Sequence, residues 1–226
     1  MKTTIAAIII LSASFQLLYS QFISNVGVKA GITFSNQEFK RQSGDDFWQW
    51  ETIPGYNGSL FTEFLSSKNY NTIFETGYEQ RGYGMEIIET NEFGEELDRF
   101  IVKEVTHYVT IGLLGKFKIA SKPVSAYFTA GPKLDIYLGY TEVIPKGKHW
   151  TEAPNPFLED FKKINYSLSF GTGIELSFVK RFRPFVEFNY SPPISKSFEN
   201  SAFYVREHYF NIKAGIYIFD FGKRKK

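Results

Sequence analysis

The sequence predicts an all-β fold, an eight-stranded antiparallel up-and-down transmembrane β-barrel. Three observations predict it. Apolar and polar residues alternate with period two in eight segments. The connections between those segments run long, short, long, short along the chain. The polar positions of the segments are rich in Gly, Ser, Thr and Asn, and they carry the strand charges. Composition agrees: 24 Phe, 14 Tyr and 18 Gly beside 2 Met among 226 residues favour strand over helix. A mean hydropathy of −0.22 is too polar for a bundle of membrane helices. The absence of Cys excludes disulfides, thiolate metal sites, thiol nucleophiles and a lipoprotein anchor. A formal net charge of +2 gives no reason to expect a nucleic-acid partner.

The first element is an address. Met1–Ser20 places Lys2 before the apolar run Ile5–Ala13 and ends on a small residue before Gln21. That is the pattern of a secretory signal peptide, and the run is short for a membrane-spanning helix. The mature domain is then residues 21–226.

The strands follow in order. Val26, Val28, Ala30, Ile32 and Phe34 share one face of the first. Leu60, Thr62 and Phe64 give a weaker second, because Phe61 lies on its polar side. Thr72, Phe74, Thr76 and Tyr78 mark the third, and Val109, Ile111, Leu113, Gly115 and Phe117 the fourth. The fifth runs from Ala126 to Leu138 and contains Pro132, which lacks a ladder donor and is expected to mark a bulge. Tyr166 to Leu176, Val186 to Tyr190 and Phe210 to Ile218 complete the set. Short turns near Leu65–Tyr70, Ile119–Pro123 and Val179–Arg183 all fall at one end, with both termini. The long connections Ser35–Gly55, Gly82–Glu104, Thr141–Lys163 and Ser191–Arg206 fall at the other. This is the plan of an outer-membrane barrel, with short periplasmic turns and long external loops. The second long connection reads as an extended extracellular hairpin, with Met85–Thr90 and Leu97–Lys103 flanking a turn at Asn91–Gly94. Paired into the sheet as separate strands, these two segments would raise the count to ten.

Alternation alone fits a soluble barrel as well as a membrane one, and the polar face decides. Its small residues suit the narrow lumen of eight strands, whereas a solvated surface carries more Lys and Glu. Lys29, Glu63, Glu75, Glu79, Arg81, Lys116, Lys118, Lys133, Asp135, Glu175, Glu187 and Lys213 all occupy that face. A Lys or Arg facing mid-bilayer lipid costs about 2–4 kcal/mol, which accounts for the segregation. Six acids face six bases, so a plug of ion pairs is favoured over a proton or ion path. A closed lumen also disfavours general diffusion, since open porins have about 16 strands.

Gly27-Val-Lys-Ala-Gly-Ile32, Gly55–Glu63, Phe74–Gly82, Tyr127–Lys133, Phe170–Glu175 and the closing strand Ile212–Phe219 resemble the PorT-like outer-membrane β-barrel proteins, also called the porin family, of Bacteroidetes. The resemblance spans nearly the whole mature chain and implies an outer-membrane barrel. One member of that group takes part in protein secretion, so the resemblance also implies envelope or secretion partners. The end departs from the pattern: Phe221 is followed by the basic tail Gly222–Lys226, which leaves Phe219 and Phe221 as the terminal aromatics.

Chemistry is sparse. His107, His149 and His208 stand apart, and no pair at useful spacing supplies a base and a nucleophile. No nucleotide-binding glycine motif, metal-ligand spacing or cofactor signature occurs. The acidic pairs Asp45-Asp46 and Glu95-Glu96 read as solvated loop charge. The candidate partner-binding residues are the loop aromatics Phe47, Trp48, Trp50 and Trp150, which fit either recognition or cover for the barrel mouth. The expectation is a monomeric, non-enzymatic barrel in outer-membrane lipid that acts through its long loops. A narrow channel is the alternative, and a lipid-modifying enzyme a more distant one.

Overall fold

A computed structural model of the chain describes residues 23–41, 46–48, 51–67, 69–119, 123–146, 161–177, 183–199 and 203–221. The signal peptide expected at Met1–Ser20, the aromatics Trp50 and Trp150, and the basic tail lie outside the described residues. The strands are β1 (Ile23–Arg41), β2 (Asp46–Trp48), β3 (Ile53–Phe64), β4 (Tyr70–Thr90), β5 (Glu96–Ile119), β6 (Val124–Val143), β7 (Ile164–Leu176), β8 (Arg183–Ser191), β9 (Phe198–Glu199) and β10 (Phe203–Asp220).

Eight of them form a ring. The order β1-β3-β4-β5-β6-β7-β8-β10 is antiparallel throughout, and β1 pairs with β10 to close it. The two additional strands come from neither half of the second loop. They are the short β2 and β9, which pair with the upper ends of β1 and β10. The second loop is the extended hairpin expected from the sequence: β4 and β5 continue out of the barrel in one register until Glu89↔Asp98. The Asn91 side-chain oxygen accepts hydrogen bonds from the amides of Phe93 and Glu95, and Gly94 takes a positive φ of 80° that a side chain would resist.

Strand length has a direction. A tilted strand needs about 9–11 residues to cross a bilayer. β4 has 21 and β5 has 24. The short turns fix their lower ends, so the surplus projects on the long-loop side.

The apolar positions face outward. Leu60 is 61% exposed, Phe128 53%, Phe188 46% and Ile212 48%, whereas Lys29, Glu75, Lys133 and Glu187 on the alternate positions are buried. With a lipid-facing exterior, every polar backbone group must be satisfied within the sheet, which a closed ring does. Pro132 does not mark a bulge. Gly112 faces Lys133 and Gly115 faces Ala130, so the β5–β6 register is the same on either side of it. Its ring points outward, and the flanking pairs hold the ladder without its donor. The irregularity falls instead at Leu138, between the pairs His107↔Gly139 and Tyr108↔Tyr137, where Gly139 has a φ of 149°.

Inside, large rings lie on glycines of the adjacent strand. Phe61 faces Gly27, Tyr127 faces Gly173 and Phe185 faces Gly215 in the ladders. A Cβ at any of these glycines would overlap the ring that covers it. Together with Ile73, Leu114 and Tyr217, the three rings make a packed aromatic layer across the lumen. Gly173→Val should therefore lower stability by about 1–3 kcal/mol or prevent closure. The outward Gly58 has open space at its Cβ position, and Gly58→Ala should stay within about 0.5 kcal/mol of wild type. Urea unfolding midpoints and the heat-modifiable band on gels measure both.

Candidate functional site

The lumen is built in tiers from alternate residues of the eight staves. In the tier nearest the short turns, the Glu63 carboxylate accepts hydrogen bonds from Asn25 Nδ2 at 2.7 Å, Asn71 Nδ2 at 2.8 Å, Lys116 Nζ at 2.8 Å and Tyr217 Oη at 2.7 Å. Glu175 is reached by Lys118 at 3.2 Å, Arg183 at 3.2 Å and Lys116 at 3.4 Å. The Lys116 ammonium lies 4.1 Å from the Tyr127 ring centre, so the aromatic layer also serves as a cation site.

The next tier crosses the barrel. Lys29 bridges Glu187 at 2.7 Å and Glu75 at 2.8 Å, and Lys213 completes the chain to Glu75 at 3.1 Å. Above it Lys133 pairs with Glu79 at 3.2 Å, and Asn211 Nδ2 donates to the same carboxylate. Arg81 then reaches Asp135 at 2.9 Å, Glu79 at 3.3 Å and Glu207 at 3.8 Å. Its guanidinium carbon sits 3.6 Å from the Tyr209 ring centre and 4.7 Å from that of Tyr108. Over this lie Gln37, which donates to Glu207, and Tyr83, which donates to Glu104. Tyr83, Phe161, Phe198 and Val205 close the top as an apolar cluster, with Met85, Tyr137, Tyr140 and Phe203 packed on it.

The twelve lumen charges named from the sequence thus lie in three stacked groups of ion pairs. Eleven are buried, and Lys118 stands at the short-turn mouth with its side chain 16% exposed. Sequence reasoning missed Glu104 and Arg183, which fell in stretches assigned to connections, and Glu207, which fell between the last connection and the last strand. It also passed over Phe61, Tyr127, Phe185 and Tyr217. Their signal was present as aromatics on the polar side of a strand opposite glycine. Of the predicted partner-binding aromatics, Phe47 and Trp48 belong to β2, where Trp48 lies across from Phe39 of β1. Trp50 and Trp150 lie outside the described residues.

A cavity of about 10 Å³ lies among Lys29, Lys116, Tyr127 and Glu187, at the threshold for one water molecule. Arg81 Nη2, Asp135 Oδ1, Thr106 Oγ1, Thr129 Oγ1 and Asn189 Oδ1 are buried without hydrogen-bond partners among the described residues, at several levels of the lumen. Buried groups of this kind are satisfied by water. The described residues contain no group of three or more metal-binding side chains.

A sequence profile of the outer membrane protein beta-barrel domain matches residues 19–199, and the chain belongs to that family. It is an outer-membrane β-barrel protein. No curated protein is significantly similar to it. Among solved structures, the OprG outer membrane protein of Pseudomonas aeruginosa is 9% identical with a TM-score of 0.47, over 88% of this chain and 98% of that one. Neisserial surface protein A is 12% identical with a TM-score of 0.46, over 87% and 99%. The attachment invasion locus protein of Yersinia pestis is 12% identical with a TM-score of 0.40, over 86% and 98%.

Breaking one lumen pair should cost more than removing both partners. Lys116→Met leaves Glu63 ionised without its closest cation, and we expect a loss of about 3–5 kcal/mol. Glu63→Leu combined with Lys116→Met should recover about half of that or more in the same urea titration.

The external hairpin carries a separate electrostatic clasp. Arg99 donates to both Glu96 oxygens, at 2.9 and 3.0 Å, and to Glu86 at 3.0 Å. The Arg99 hydrogen bonds hold the Glu96 carboxyl below the ordinary carboxylate range, against a smaller opposing effect of desolvation. A lowered folded-state pKa gives a contribution that is complete above the ordinary range and is lost as pH falls through the lowered value. Amide exchange at residues 96–101 should accelerate over that acidic interval, and Arg99→Gln should abolish the step.

Proposed function

We propose that this protein is a closed structural or interaction barrel that presents its long external loops to a partner in the cell envelope. The observation that supports this reading most is the occupied lumen, in which ion pairs, stacked rings and an aromatic layer span the barrel in successive tiers. The projecting hairpin and the strands β2 and β9 build a platform above the membrane, where binding residues are commonly placed. The PorT-like resemblance of the strand motifs supports a secretion-associated partner. The segment Met1–Ser20 supports export through a cleaved signal peptide. The loop aromatics Phe47, Trp48, Trp50 and Trp150 are the residues proposed to meet the partner. The reading assigns the protein no catalysis and no cofactor, and treats it as a monomer.

A narrow channel is the second reading. It draws on the unpartnered polar atoms of Arg81, Asp135, Thr106, Thr129 and Asn189, which call for water at several levels of the lumen. Planar-bilayer recording separates the two. The closed barrel should show no stepwise current in 1 M KCl, and unitary steps from the wild-type protein would replace this reading with the channel. Photocrosslinkers at Phe47 and Trp50 in intact cells should capture a discrete envelope protein. Capture only of lipid would withdraw the loop from the proposal.

A further inference from the structure

Outward-facing charge is absent from the apolar band of β1 and β10 and begins just above it. The last aromatic pair of that seam is Phe34↔Phe210, with rings stacked at 5.0 Å. On the same face above it come Asn36↔His208, Glu38↔Arg206 and Lys40↔Tyr204. At about 3.4 Å per residue, these pairs lie roughly 7–20 Å farther along tilted strands. That is the depth of headgroups in the outer leaflet, beyond the acyl chains.

Two cations converge there on one ring. Lys196 Nζ lies 4.3 Å from the Tyr204 ring centre, and the Arg206 guanidinium carbon lies 5.2 Å from it. Lys196 has an acid partner, Glu199, at 2.5 Å. Arg206 makes no ion pair among the described residues, and its Nε is buried without a hydrogen-bond partner. Its cross-strand neighbour Glu38 is engaged by Lys40 at 2.8 Å and His208 at 3.3 Å. Glu199 neutralises Lys196, so the Arg206 guanidinium is the charge at this ring that a further anion would compensate. A guanidinium fork matches the oxygens of a phosphate monoester, and an ammonium on the same ring adds a second donor within a side chain's reach.

We propose that Arg206 and Lys196, set around Tyr204 on the outer wall of the β1–β10 seam, form a binding site for a phosphorylated glycolipid headgroup of the outer leaflet. The ligand arrives laterally, because the site continues the lipid-facing wall and does not open into the lumen. Its acyl chains would lie on Phe34, Phe210 and Ile212 below.

The test uses the full-length barrel in phosphatidylcholine nanodiscs, with native mass spectrometry counting retained lipid. Phosphorylated lipid A, the same lipid A stripped of phosphate, and inorganic phosphate are added in turn. Phosphorylated lipid A should be retained about tenfold better than the stripped form, and less well as salt rises. R206Q combined with K196Q should reduce retention to the level of the stripped lipid. R99Q, which removes an exposed cation from the hairpin, should leave it unchanged. R206K, which keeps charge but loses the fork, should fall between wild type and R206Q. Heat modifiability checks that each variant is closed, and the comparison of the two lipids on wild type needs no variant. Equal retention of both lipids, or undiminished retention by a folded double variant, overturns the proposal. Thermal stabilisation by inorganic phosphate without discrimination between lipids would assign the site to free phosphate and overturn the lipid source.

Discussion

Ring closure between β1 and β10 is the constraint on which the rest of the structure depends. Once those two strands pair, the sheet has no open edge within the bilayer, and each residue is committed to one of two solvents. Even positions of β1 meet lipid, and odd positions meet the lumen. Lys29 can stand in the middle of the strand only because the ring brings Glu75 and Glu187 to it from β4 and β8. The ion pairs therefore follow from closure, and their stability is inseparable from it.

The lumen must also be filled by side chains of matched size. An inward ring on one strand is accommodated by a glycine on the next, as Phe61 is by Gly27 and Phe185 by Gly215. Charges then occupy the spaces between rings, and the rings in turn lie against cations. Lys116 beside Tyr127 and Arg81 beside Tyr209 belong to both systems. Polar and apolar packing are thus interlocked.

Much of this was legible in the sequence, and the limits have physical causes. The period of two located the eight staves and their faces, because lipid imposes a stricter segregation than water does. The hairpin was legible through Asn91 and Gly94, whose turn chemistry is local. Strand ends were not legible. Above the membrane both faces meet protein or solvent, so the alternation that marks Phe34 fades by Arg41, Glu104 passed for a loop residue and Glu207 was left outside the last strand. Pro132 misled because a missing donor weakens one rung without shifting register when its neighbours hold. The pairing Tyr127–Gly173 needed the register itself, which no single strand discloses.

The sequence separation of the lumen pairs has a consequence for assembly. Lys29 and Glu187 are 158 residues apart, Lys213 and Glu75 138, and Lys116 and Tyr217 101. None of these partners can meet in a lone hairpin. A strand entering the bilayer one at a time would carry its charge unaccompanied, at a cost that pairing later offsets. The low-energy route is for neighbouring strands to gather at the membrane surface and cross together, with the seam sealing last. The chain should therefore pass from surface-bound to inserted in a single cooperative, slow step, as expected where long-range contacts dominate. A half-inserted intermediate would leave several unpaired charges in hydrocarbon.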